Sequence, residues 1–178
     1  MERLTPLRGP APDTARQQVT ALYQAHALGL VRLAVLMVGD QPTAEDVVQD
    51  AFLGLYRRWP ALKDPDRALA YARSSVLNGC RMVHRAKSRH DTLAAPLAAP
   101  DDIESAEATA LLGEANREVL AALRTLPARQ REAVALRYYL DMTEDQAAQA
   151  MQVSKGTVKS ATSRGLAALA RLLKEEEQ

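Results

Sequence analysis

Thr143-Glu144-Asp145-Gln146-Ala147-Ala148-Gln149-Ala150-Met151-Gln152-Val153-Ser154-Lys155-Gly156-Thr157-Val158-Lys159-Ser160 reads as a complete helix-turn-helix. Thr143 is placed to N-cap a first helix, with Gln146 at the capping-box position. That helix buries Ala147, Ala148 and Met151. Gln152-Val153-Ser154 makes a tight turn, and Ser154 caps a second helix with Val158, Ala161, Gly165 and Leu169 on its inner face. The outer face presents Lys155, Lys159, Ser160, Ser163 and Arg164, with Thr157 alongside. In such a motif the second helix enters the DNA major groove, where these side chains reach base edges and phosphates. An ordinary pair of amphipathic core helices would explain the apolar faces. It would not explain the coincidence of two caps, a small-residue first helix and a polar-basic outer face.

Composition agrees with an all-α chain. The 178 residues are 47% hydrophobic but only 4% aromatic, and Ala and Leu dominate, which favours helices over sheets. The net charge is +1, so any DNA affinity must come from local clusters of Lys and Arg. A single cysteine, Cys80, excludes an intramolecular disulfide and fits a reducing cytoplasm. The N-terminus is read as having no apolar run long enough for a signal peptide or a membrane span, so the expectation is a cytoplasmic protein without membrane insertion.

Working outward, residues 1–12 carry three prolines and a glycine and read as a disordered tail. A helical pattern runs from Asp13 through Leu22, Tyr23, Leu30, Leu33, Ala34 and Met37 and stops at Gly39-Asp40. Pro42 opens the next helix, whose Ala44, Val47, Val48, Ala51, Phe52, Leu55 and Trp59 recur at three- and four-residue spacings. After the polar loop Lys63-Asp64-Pro65-Asp66, a third helix is expected from about Arg67 to Arg85. Pro96 and Pro100 then break the pattern, and residues 91–103 read as a flexible linker. A second helical block, 104–174, contains the helix-turn-helix. The expected architecture is two small helical domains, 13–90 and 104–174, joined by that tether.

Four segments together resemble the extracytoplasmic-function (ECF) type of bacterial sigma factor, in the sigma-70 family. They are Gly39-Asp40 with Ala44 to Phe52, Ala70-Tyr71-Ala72-Arg73 through Leu77-Asn78, Leu126 to Ala133 with Leu136 to Tyr139, and Val153 to Ser160. The resemblance implies a region 2-like helical bundle and a region 4-like helix-turn-helix domain. It implies core RNA polymerase as partner, through the clamp helices of its largest subunit and its flap, together with promoter DNA. The family often pairs such proteins with an anti-sigma factor, so one is a further expected class of partner.

The residues point the same way. In the helix after Pro42, a second stripe of Asp46, Gln49, Asp50, Leu53 and Arg57 faces away from the apolar side. A leucine framed by charges suits protein docking, although single exposed leucines are common on solvated helices. The third helix ends in Arg81, His84, Arg85, Lys87, Arg89 and His90, a cluster suited to a DNA backbone or, more plainly, a basic linker start. The resemblance assigns Lys63, Asp64, Asp66 and Asn78 to the capture of a base flipped from the minus-ten element, and the basic cluster puts Arg81, Arg85, Lys87 and Arg89 on the same DNA. It places Lys155, Thr157, Lys159, Ser160, Ser163 and Arg164 at the minus-thirty-five element. Gly79 is read as a weak point in its helix that marks a close approach of backbone to DNA. Tyr71 and Cys80 are read as packing residues.

The leading function is a non-enzymatic specificity subunit that directs promoter-specific initiation. The competing one is a helix-turn-helix regulator that binds DNA without docking on polymerase. No catalytic residue, metal site or cofactor is assigned, because His26, His84 and His90 lack metal-ligand spacing and no phosphate loop is visible.

Overall fold

The computed structural model describes residues 12–93 and 117–176; the expected tail up to residue 11, most of the expected tether and residues 104–116 of the expected second unit lie outside the described residues, while Pro12, expected in the tail, opens the first helix. The first corner is set by Gly39-Asp40. Gly39 takes φ +96°, a left-handed value that suits glycine, and ends α1 (Pro12–Val38). Asp40 then caps α2 (Gln41–Arg58) by accepting from the Thr43 N–H at 2.9 Å, with Pro42 in the first turn. Burial, which opposes the effect, is outweighed by the Thr43 hydrogen bonds and by Lys87, so the Asp40 carboxyl sits below its ordinary range. The expected apolar face of α2 is buried from Ala44 to Trp59.

A short 3-10 turn at Trp59–Ala61 follows, and Asp64 caps a second at Pro65–Arg67, which leads into α3 (Ala68–Leu93). This helix runs beyond the expected stop at Arg85 and into the expected linker. No proline or glycine interrupts the sequence between Gly79 and Pro96, so the helical ladder has no local reason to end earlier. The reading of Gly79 is also corrected. A Cβ built there would lie 2.8 Å from Val47 Cγ1, so this glycine lets α3 press against α2 rather than DNA.

The second half begins with α4 (Arg117–Thr125) and α5 (Ala128–Val134). After α5, the next five residues, Ala135–Tyr139, form a π-helical turn, with Arg137 donating to the Met142 carbonyl. The helix-turn-helix follows as α6 (Glu144–Met151) and α7 (Lys155–Glu176). The capping box is complete: Gln146 N–H reaches Thr143 Oγ1 at 3.2 Å, and Thr143 N–H reaches Gln146 Oε1 at 2.9 Å. Gln152 turns the corner at φ 58°. Val158, Ala161 and Leu169 are buried as expected, and a Cβ on Gly165 would meet Val134 Cγ2 at 2.7 Å, so α7 crosses α5 at close range.

The two helical units are in contact. α1 packs on α2 and α3, touches α4 and α5, and α3 lies against α6. One cluster of buried apolar residues runs from Ala15 through Leu33, Val48 and Leu77 to Leu136, Met151 and Val158. The N-terminal helix is longer and more apolar than the sequence reading allowed. Thr14–Val38 is apolar and long enough, by length and composition, to cross a membrane. In this fold Leu30 and Leu33 to Val38 are buried within the protein, and a core helix needs the same apolar composition as a membrane span.

Candidate nucleic-acid interface and docking face

The helix-turn-helix presents the expected set. Lys155, Thr157, Lys159, Ser160, Ser163 and Arg164 are all exposed along one side of α7, opposite its buried face. Ser154 caps the helix, its Oγ accepting from the Thr157 N–H at 3.1 Å. Two of the basic groups have internal partners. Lys155 Nζ lies 2.9 Å from Asp145 Oδ2, a contact that raises its pKa, and Arg164 folds back on Ser160, with Nε donating to the Ser160 carbonyl at 3.2 Å. Both partnerships are solvent-exposed, so a phosphate can replace them at little cost.

On α2, Asp46, Gln49, Asp50, Leu53 and Arg57 are exposed, with Leu53 49% accessible. Beside Leu53 lies a groove of about 350 Å³ between α1 and α2, lined by Val19, Tyr23, Gln49, Phe52, Leu53 and Tyr56. The Tyr23 ring meets Phe52 edge-on, with centroids 5.1 Å apart. The contribution of α1 was missed in the sequence. Tyr23, part of the apolar pattern of the first helix, is 40% exposed, and Tyr56 is 43% exposed.

The residues assigned to the minus-ten element are scattered by local bonding. Lys63 and Asp66 are exposed in the loop. Asp64 accepts from the Asp66 N–H at 3.1 Å and pairs with Arg67 at 3.2 Å, so its carboxylate also holds the 3-10 turn. Further along α3, His84 Nε2 lies 2.6 Å from the Met37 carbonyl, and Lys87 reaches the Val38 carbonyl at 3.3 Å and Asp40 at 3.6 Å. Arg85 and Arg89 are exposed, and Arg89 Nε donates to the Arg85 carbonyl at 3.3 Å.

Arg81 is the exception. It points into the second half, where Nε and Nη2 grip Glu132 at 2.8 and 2.6 Å, while Nη1 donates to Asn78 Oδ1 at 2.9 Å. The Glu132 side chain is only 4% exposed. Its hydrogen bonds raise the Arg81 pKa, and burial, aided by the charge of Glu132, pushes the neighbouring Cys80 thiol up to about 12. Cys80, Arg81, His84 and Arg85 line a cavity of about 270 Å³ with Met37, Ala128, Arg131 and Glu132. Sequence reading missed Glu132, because Arg129-Gln130-Arg131-Glu132 carries no local sign that one of its charges is buried.

Similarity to known proteins follows the same division of the chain. Residues 22–90 match the model of sigma-70 region 2, and residues 116–169 match that of sigma-70 region 4. The chain is 33% identical over 142 residues to an RNA polymerase sigma-E factor of Streptomyces avermitilis, covering 79% of this chain and 76% of the relative. It is 34% identical over 152 residues to the ECF RNA polymerase sigma factor SigM of Mycobacterium tuberculosis, covering 85% and 75%. Its fold is similar to CnrH, solved in complex with the cytosolic domain of CnrY, at TM-score 0.67 and 23% identity over 92% of this chain and 97% of that one. It is also similar to RpoE of Bartonella quintana, solved with the anti-sigma factor NepR, at TM-score 0.67 and 22% identity over 89% and 96%. With both sigma-70 regions present in order and relatives that span most of its length, the chain belongs to the sigma-70 family, as an ECF sigma factor.

Proposed function

We propose that this chain is a dissociable promoter-specificity subunit whose three exposed faces divide the work. The α2 stripe of Asp46, Gln49, Asp50, Leu53 and Arg57 docks on the clamp helices of the polymerase's largest subunit. The 63–66 loop and α3, through Asn78, Arg81, Arg85, Lys87 and Arg89, act on the minus-ten element. The outer face of α7 reads the minus-thirty-five element, with the polymerase flap as the neighbouring contact of the second unit. These roles require a cytoplasmic protein, and the chemistry they need is binding and strand separation rather than bond cleavage.

The observation that carries this reading is Leu53. It stands 49% exposed among charged side chains while the opposite face of the same helix is buried, which is the form of an apolar anchor with a polar rim. The adjoining groove with Tyr23 and Tyr56 widens that anchor. An anti-sigma factor fits the same surface, because covering Leu53 would deny it to polymerase.

The test is run-off transcription from genomic fragments with core polymerase, paired with a pull-down. Asp50→Arg with Leu53→Glu should abolish core binding and transcription while leaving helicity intact. Retained core binding by that variant would overturn the docking assignment. Promoter binding by the wild type with no affinity for polymerase would favour a regulator that acts without docking.

A further inference from the structure

The cavity of about 270 Å³ between the two units is walled by the end of α1, one side of α3 and α5, and its charges do not balance. Arg81, Arg85, Arg131 and His84 face it, against the single carboxylate of Glu132. That carboxylate is already committed. Arg81 holds its two oxygens at 2.8 and 2.6 Å, and Arg129 Nη1 stands 3.4 Å from Oε2. His84 is committed as well, to the Met37 carbonyl at 2.6 Å.

Arg131 is left over. It is only 9% exposed, and among the described residues it has no ion pair. Its Nη1 donates to the Arg124 carbonyl at 3.2 Å, at the end of α4, while its Nε is buried without a hydrogen-bond partner. A staple from α5 to α4 explains the Nη1 bond, but it leaves the charge unanswered. Beside it, Arg124 Nε is also buried without a partner. Burial lowers the Arg131 pKa, helped by the Arg124 charge and opposed by Glu132. A covered cation without a counter-charge is costly, and an arriving anion recovers part of that cost.

We propose that this cavity binds a small phosphate-class oxyanion, of the size of inorganic pyrophosphate, between the covered Arg131 and the exposed Arg85. Guanidinium forks take phosphate oxygens two at a time, and no carboxylate among the described residues fills either of these forks. The volume lies just below the range of about 300–1,000 Å³ that houses drug-sized ligands, so it suits a diphosphate better than a whole nucleotide. A phosphate in a DNA backbone has the same chemistry. It arrives, however, on a duplex too broad to follow Arg131 into a cleft between helices. The site therefore belongs to a free ion. Seated there, the ion touches α3 and α5 at once and strengthens the join between the units, whatever α3 does with a promoter.

The test is isothermal titration calorimetry of sodium pyrophosphate into the full chain, free of nucleic acid, in chloride buffer at constant ionic strength. Wild type should show one saturable site, and its thermal midpoint should rise by a few degrees and then level off. Arg85→Gln, a change at an exposed position, and Arg131→Lys, which keeps the charge and removes the fork, should each weaken pyrophosphate about tenfold. Arg16→Gln, exposed at the opposite end of α1, should leave the affinity unchanged. No saturable binding by wild type, or one affinity shared by all three variants, would overturn the site. So would an equal, unsaturated rise of the midpoint in sulfate, which is a general salt effect. A second titration, with a short random-sequence duplex and no pyrophosphate, separates the two sources of phosphate. Arg131→Lys should bind that duplex as wild type does, and a matching tenfold loss would give the cavity to DNA and overturn the free ion. If Arg131→Lys loses helicity, Arg85→Gln against Arg16→Gln decides the site.

Discussion

Gly79 illustrates how a single residue can be legible in kind and illegible in purpose. Its low helix propensity is visible in the sequence, but the reason for it is Val47, 32 positions away on α2. Gly79→Ala should destabilise the chain by about 1–3 kcal/mol through overpacking, which exceeds the gain of about 1 kcal/mol in helix propensity. Adding Val47→Ala should recover part of the loss, and a double-mutant cycle in urea measures the coupling. A stabilising Gly79→Ala would show that the two helices have room to spare. Arg81 makes the same point for the site. Its charge and its place on α3 were readable, but its partner Glu132 lies 51 residues away, and no local pattern announces a buried carboxylate. Leu53 lies at the other extreme, because a leucine on the polar side of a periodic helix is exposed by the period alone.

At the scale of elements, caps and periods were the readable part. Thr143 and Ser154 each hold the hydrogen bond that their position promised, and Asp40 caps α2 in the same way. Asp40→Ala should cost about 0.5–2 kcal/mol near neutral pH. The folded chain holds the Asp40 carboxyl below its ordinary pKa, so the cap contributes fully above that ordinary range and loses its contribution as pH falls through the lowered value. The stability gap between wild type and Asp40→Ala, followed by thermal denaturation from pH 7 to pH 3, should therefore narrow with acid; a constant gap would mean that the carboxylate charge plays no part. On α7, Arg164→Ala should cost roughly 1–3 kcal/mol and relax selectivity at one promoter position, if its guanidinium exchanges Ser160 for a base edge. Lys155→Ala should weaken all sequences alike and flatten the salt dependence. Equal, uniform losses in a binding titration would erase that division between base and phosphate contacts. The π turn at Ala135–Tyr139 was not readable, because it depends on how a helix end is held rather than on which residues it contains, whereas the run of α3 past Arg85 follows from a stretch without proline or glycine.

For the whole molecule, the continuous buried cluster and the Arg81–Glu132 pair couple the two units. Wild type should unfold in one calorimetric transition, and Glu132→Gln should separate it into two; two transitions in wild type would show that the units are thermodynamically independent. The sequence by itself determined the all-helical class, the two-part order, the helix-turn-helix and the outward faces of α2 and α7. Those properties follow from spacing and capping within a few residues, where covalent geometry fixes which side chains share a face. Only the tertiary structure decided that the C-terminal part of α1, Leu30 and Leu33 to Val38, is buried, that Gly79 serves helix packing, and that the polar face of α3 meets Glu132 and the end of α6. Each of these depends on a partner dozens of residues distant, and such pairings are chosen by the packing of the assembled chain rather than by any local pattern.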